Sequence, residues 1–252
     1  MNALSVAAVT LRELLRRKVQ VNLLVFGTLL VVSSYVMSLL TLGYMRRILA
    51  DFGLSAMELT GTLLAIFLGA SVVAGDVEKR VVYPILAKPV SRTQYVVGRW
   101  LGLSSALVMN LVVMSIALAA VLAAEARSLA TIDGVFVAAV ALMALQLVVV
   151  GAVAVLFSCF TSTTLAAIFT TSLAVAGHLT NEMRNLWQGE GAWLGKTIWY
   201  LVPNLSALSL NEAVVYQRAP PTATWLAALY ALLYAAAALA LASAVFERRD
   251  LR

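Results

Sequence analysis

Five cations and two carboxylates fall within the 24 residues from Asp76 to Arg99 and give that stretch a net charge of +3. The chemistry available there is recognition by charge. Pro84 and Pro89 bracket a short segment that has room for one or two helical turns. A short basic helix held at a membrane surface is a handle that another protein can push. The other reactive side chains stand apart. His178 is the sole histidine, and a metal site needs several ligands, so a hydrogen-bonded or interfacial role is expected for it. Cys159, the sole cysteine, cannot form an internal disulfide and has no histidine placed to activate it. Gly191, Gly195, Lys196 and Thr197 imitate a phosphate-binding loop, but the spacing needs glycine where Glu190 stands, and no strand precedes it. No catalytic, metal-binding or cofactor-binding residue is therefore assigned. The chain is not expected to be an enzyme by itself, and any ATP would be bound by a partner.

The elements that must position these residues are apolar. Of 252 residues, 62% are hydrophobic and only 12% charged, and the mean hydropathy is +0.94. Soluble domains carry roughly twice that charge. Runs of about 20 apolar residues can cross the ~30 Å hydrocarbon layer as helix. These runs are continuous, not alternating, which excludes a barrel. The N-terminal apolar run exceeds the ~7–15 residues of a signal-peptide core, so it is read as a span. An isoelectric point near 9.7 would suggest nucleic acid in a soluble protein. Here the cations sit at the edges of apolar runs, so topology explains them and no nucleic acid is expected.

The expected architecture is all-α: a polytopic membrane protein, one permease-like domain over residues 1–252, with six transmembrane helices preceded by an amphipathic interfacial helix. Residues 3–18 place Leu4, Ala7, Leu11 and Leu15 on one face and Arg12, Glu13, Arg16 and Arg17 on the other. The spans are expected at about 19–42, 59–75, 100–124, 134–157, 163–180 and 223–246. Residues 44–58 could form a second surface helix. The run from 134 to 179 would be about 70 Å long as one helix, so it must fold back, at Ser158–Thr164. With both termini in the cytoplasm, the inner segments carry +7 and the outer ones −1, as the positive-inside rule requires. That orientation puts residues 76–99 in the cytoplasm. The central parts of the six spans carry no ionisable side chain. Asn22, Asn110 and Gln146 are expected to hydrogen-bond between helices, worth under ~2 kcal/mol each. A proton- or ion-coupled carrier normally has an intramembrane charge, so the energy source is expected outside this chain.

Three stretches carry a resemblance. They are the amphipathic helix leading into the first span, the run from Leu63 to Gly102, and Val202-Pro203-Asn204-Leu205 before the last span with Phe246-Glu247-Arg248-Arg249-Asp250-Leu251 after it. The middle run is the specific one, with an acidic residue at the end of span two, a basic pair, and then Lys88-Pro89-Val90-Ser91-Arg92. Together they resemble the permease subunits of the ABC-2 family of ABC transporters, in the branch that includes the membrane subunit of the nitrous-oxide-reductase maturation transporter. Val81 stands where members often have threonine. The resemblance implies a transmembrane permease, most simply an exporter, in the plasma membrane (the inner membrane of a bacterium). It would dimerise with a second permease copy and pair with a cytoplasmic ABC ATPase subunit. In that family the first cytoplasmic loop holds a coupling helix, which would fall within residues 82–97. Glu78, Lys79, Arg80, Tyr83, Lys88, Pro89 and Arg92 would then contact the ATPase. Gly98 and Gly102, four apart, would allow close helix packing. Two other readings remain: a membrane anchor through which an ATPase does mechanical work on another complex, and a secondary carrier that needs no ATPase.

Overall fold

The computed structural model describes residues 3–39, 45–78, 91–126, 133–180, 202–218 and 224–248, and every described element is helical. Helix α1 is Ala3–Leu15, α2 Lys18–Leu39, α3 Met45–Glu78, α4 Arg92–Ala126, α5 Gly134–Ser158 and α6 Thr163–His178. A 3₁₀ turn at Ser206–Leu208 and a short α7, Asn211–Val215, precede α8, Thr224–Arg248. Five of these (α2, α3, α4, α5 and α8) are long and apolar enough to cross a membrane. Helix α6 has 16 residues, about 24 Å, which is short of the ~30 Å hydrocarbon layer. Five candidate spans thus stand where six are expected.

The middle of the chain departs most from its sequence pattern. No separate surface helix forms at 44–58. Met45 to Glu78 is one helix of 34 residues, about 51 Å long. Residues such as Leu49, Leu54, Met57, Leu64 and Leu68 bury one continuous side, and that burial overrides the charges of Arg46, Arg47 and Asp51. Likewise α4 begins at Arg92, a full two turns before the expected start at Trp100. The segment expected to be loop from 76 to 99 is therefore helical at both ends, and only 79–90 lies outside the described residues.

Helix α3 sits at the centre of the bundle and packs against α2, α4, α5, α6 and α7. Helix α4 buries Leu103, Leu107, Leu111, Met114, Leu118 and Leu122 at three- and four-residue intervals, the stripe of a helix with one core face. Helix α5 starts where the Asp133 carboxylate accepts the Phe136 N–H at 3.1 Å, an N-cap. It ends at Ser158, where the chain turns back through Ser162, as expected, into α6. Helix α1 lies along the first turns of α4. There a Cβ built on Gly98 would stand 2.6 Å from Val6 Cβ and 2.7 Å from Ala3 O, and one on Gly102 would stand 2.5 Å from Thr10 Cβ and 2.7 Å from Ala7 O. Two of those obstacles are backbone, so a side chain there pushes the whole of α1 away. Gly102→Val should destabilise the protein by about 1–3 kcal/mol and expose α1 to protease. Thermal unfolding in mild detergent with limited proteolysis checks it, and an unshifted midpoint would show that α1 is not seated on α4.

Candidate functional site

The face of the bundle that carries α1 also carries the end of α3, the start of α4, the α5–α6 turn and the end of α8. At its centre lies Arg99, 4% exposed. A guanidinium so buried at the end of an apolar helix keeps its charge only if carboxylates replace its water. Two do. Nη2 pairs with Asp76 of α3, itself 5% exposed, and Nη1 donates to Glu13 Oε2 of α1 at 2.7 Å. Nη1 also lies 3.3 Å from Thr10 Oγ1. The Tyr95 hydroxyl donates to Asp76 Oδ2 at 2.5 Å and accepts from Arg99 Nε at 3.4 Å. Glu13 takes a second cation, Arg17 Nη2 at 2.5 Å, and Arg17 reaches Ser71 Oγ of α3 at 2.6 Å. Two arginines and two carboxylates form one neutral network that joins α1, α3 and α4. Its spacing in sequence is local only for Glu13 with Arg17 and for Tyr95 with Arg99, each pair four apart. Nothing in the sequence alone pairs Arg99 with Asp76, 23 residues away across the basic segment, or with Glu13.

The two ends of that basic segment are fixed to other helices. Glu78 Oε1 accepts the Thr163 N–H at 2.9 Å, and Oε2 accepts the Thr163 hydroxyl at 3.1 Å. A carboxylate at the first turn of α6 satisfies an orphan donor and complements the helix dipole. Arg92 Nη1 donates to Phe246 O at 3.2 Å and Glu247 O at 2.9 Å. A cation on the last carbonyls of α8 is favourable for the converse reason. Thr93 Oγ1 adds a bond to Glu247 Oε1 at 2.8 Å. The Ser158 hydroxyl donates to Ala70 O and accepts from Ala74 N, at 2.8 and 2.7 Å. It inserts into the α3 ladder and fastens the α5–α6 turn there. So of the seven residues picked from the sequence, Glu78 and Arg92 stand within reach of this assembly and bond inside the chain. Lys79, Arg80, Tyr83, Lys88 and Pro89 lie outside the described residues, as does the short helix expected between Pro84 and Pro89.

A second polar cluster sits inside the bundle. Glu58, expected at the edge of a span, is the fourteenth residue of α3, and its side chain is 15% exposed. Its Oε1 lies 2.9 Å from Gln146 Nε2 and 3.1 Å from His178 Nε2, and its Oε2 accepts from Asn211 Nδ2 at 2.8 Å. His178 Nδ1 lies 2.8 Å from Ala174 O, a pure acceptor, so that nitrogen carries a proton. Gln146 Nε2 also lies 3.0 Å from His178 Nε2, so the amide bridges the ring and the carboxylate. The sole histidine is hydrogen-bonded, as its isolation implies, but its partner is a carboxylate missing from the sequence-level inventory of the spans. The cluster clamps α3, α5, α6 and α7 together. Thr170, Thr171 and Ser172 of α6 bond back to carbonyls four residues earlier, and Cys159 is buried. Among the described residues no group of three or more histidine, cysteine or acidic side chains is placed to hold a metal.

A family model described as ABC-2 family transporter protein matches residues 30–251. No curated protein matches the chain.

The network makes a pH prediction through Glu13, which belongs to α1 and lies outside the spans. Burial alone would raise its carboxyl, but the hydrogen bonds from Arg17 and Arg99 outweigh that and hold it below its ordinary value. A carboxyl depressed on folding contributes stability above its unfolded pKa and loses it as pH falls through the folded value. Stability should thus hold from neutral pH down to about 4 and decline below that, and Glu13→Gln should flatten the decline. Thermal midpoints across pH 3–7 check this. Identical profiles for the two proteins would contradict it.

Proposed function

Because the chain belongs to the ABC-2 family of transporter proteins, it is a permease subunit of an ABC transporter, and we propose that it is an exporter driven by a separate ATP-hydrolysing subunit. The ATPase would dock on the basic segment between α3 and α4, with Lys79, Arg80, Tyr83, Lys88 and Pro89 as its contacts. Glu78 and Arg92 would act from the ends of that segment. The charge asymmetry, +7 against −1 under a six-span layout with both termini in the cytoplasm, supports a cytoplasmic position for that face in a plasma or bacterial inner membrane. Two copies of the permease with two ATPases would make the working unit. Within the family, Lys88-Pro89-Val90-Ser91-Arg92 supports placing the chain near the nitrous-oxide-reductase maturation branch.

One observation carries this reading. The basic segment leaves from Glu78 and returns at Arg92, and both residues are bonded to other helices while Asp76, Arg99 and Glu13 lie directly beneath them. A push that reaches Glu78 and Arg92 would act on packed helices. It displaces α3 and α4 together with α1, α6 and α8. The ATPase would do work on the permease in proportion to its difference in affinity for the two arrangements.

The test is affinity purification of the tagged full chain from mild detergent, with identification of copurifying proteins and an assay of ATP hydrolysis. Wild type should retain an ATPase. Lys79→Glu with Lys88→Glu should lower its recovery at least about tenfold, since like charges facing each other across an interface cost several kcal/mol. Arg92 is left intact because it also holds α8. An intact, monodisperse chain that retains no ATPase would overturn the proposal.

A further inference from the structure

At the end of the bundle opposite α1, a cavity of about 440 Å³ opens between the start of α3, the end of α4 and the segment after α7. Arg46 and Arg47 line it from α3, Tyr216 and Gln217 from beyond α7, and Glu125 from α4. The charges there are badly placed for the fold alone. Arg46 and Arg47 stand in the first turn of α3, which holds no acidic residue, and a cation at that end of a helix opposes the dipole. Arg47 and Arg218 converge on the Tyr216 ring, their Cζ atoms 5.5 and 5.4 Å from its centroid. Neither Arg46 nor Arg218 makes an ion pair among the described residues. If this is the external face, topology also disfavours three arginines there.

The backbone carries a second oddity at the same place. Arg218 N bonds to Ala213 O at 2.9 Å and Gln217 N to Val214 O at 3.4 Å, which closes α7 with a Schellman-type cap. The residue at the left-handed position of such a cap is normally glycine. Here it is Gln217, at φ 51°, the one non-glycine residue with positive φ among the described residues. Gln217 thus holds its side chain at the cavity wall in a backbone conformation that glycine adopts more readily.

We propose that this cavity binds the phosphodiester group of an amphiphile. The Arg46 and Arg47 guanidinium groups and the Gln217 amide are its donors, since arginine matches phosphate oxygens with paired N–H groups. Glu125 in the lining disfavours a dianion and so selects a singly charged diester over a monoester. Met45 and Val215 give the site an apolar side. The volume falls in the range of pockets that hold a lipid headgroup-sized ligand, ~300–1,000 Å³. The site stands whether or not an ATPase docks at the other end, and only its assignment to the external leaflet rests on the proposed function.

Titration of the full chain in neutral detergent with phosphatidylglycerol, phosphatidylcholine, inorganic phosphate and glycerol phosphate tests it, read by thermal midpoint and native mass spectrometry. Phosphatidylglycerol should bind at least about tenfold more tightly than phosphatidylcholine. Arg46→Gln should remove at least about tenfold of that affinity, the worth of one charge-assisted hydrogen bond. Gln217→Gly relieves the backbone, so it should keep or raise the unliganded midpoint while weakening binding. That separates a ligand role from a folding role. Neither glycerol phosphate nor inorganic phosphate should compete, and either one competing as well as the lipid would contradict the selection of a diester and overturn the proposal. Equal binding of the two lipids, or a Gln217→Gly protein that binds like wild type, overturns the proposal.

Discussion

A guanidinium cannot be left without water or a counter-charge at the end of apolar helices, and this bundle answers that constraint with Asp76 and Glu13 around Arg99. Placing an arginine alone within a hydrocarbon layer costs at least ~2.5–3.5 kcal/mol, and removing one partner of a buried pair costs ~3–5 kcal/mol. The two carboxylates come from different helices, so the charge requirement is also a positional one. Helix α3 must run to Glu78 to bring Asp76 in, α4 must start by Arg92 to carry Tyr95 and Arg99, and α1 must lie against Gly98 and Gly102 for Glu13 to reach. Tyr95, stacked 5.7 Å from Phe246, brings α8 into the same corner. A buried network of this kind adds little net stability over an apolar core of equal volume. What it supplies is a fixed relation among the helices that bracket the basic segment.

The apolar runs were legible in the sequence because hydropathy is additive along a chain and needs no knowledge of partners. The amphipathic start, the fold-back near Ser158 and the packing glycines Gly98 and Gly102 follow from the same kind of local signal. Charged residues were the source of error. Arg46, Arg47, Asp51 and Glu58 look like a surface segment when read in order, yet Glu58 is satisfied by Gln146, His178 and Asn211, residues 88, 120 and 153 positions away. Asp76 and Arg99 look like loop charges for the same reason. A polar side chain inside a bundle is paid for by partners that only the tertiary structure brings, so its burial is invisible in a window of 20 residues. The family resemblance was legible in the Leu63–Gly102 run, and the match over residues 30–251 fits it.

The two ends of the molecule solve different problems. Near α1, Glu13, Arg17, Asp76 and Arg99 are paired, neutral in sum and shared among helices. Midway, Glu58 joins Gln146, His178 and Asn211 and so clamps α6 and α7 to α3 and α5. At the far end Arg47 and Arg218 converge on the Tyr216 ring, and Arg46 and Glu125 stand in the wall of the same cavity.

The central claim is that Asp76 and Arg99 act as one unit that fixes α3 to α4. A double-mutant cycle with Asp76→Ala, Arg99→Ala and the pair, followed by reversible unfolding in detergent, tests it most directly. The account predicts a loss of about 3–5 kcal/mol for each single change, and a double variant far less destabilised than their sum, because each single change strands a buried charge. Additive effects of under about 1 kcal/mol would mean that the two groups are independently solvated and that the network does not hold this face together.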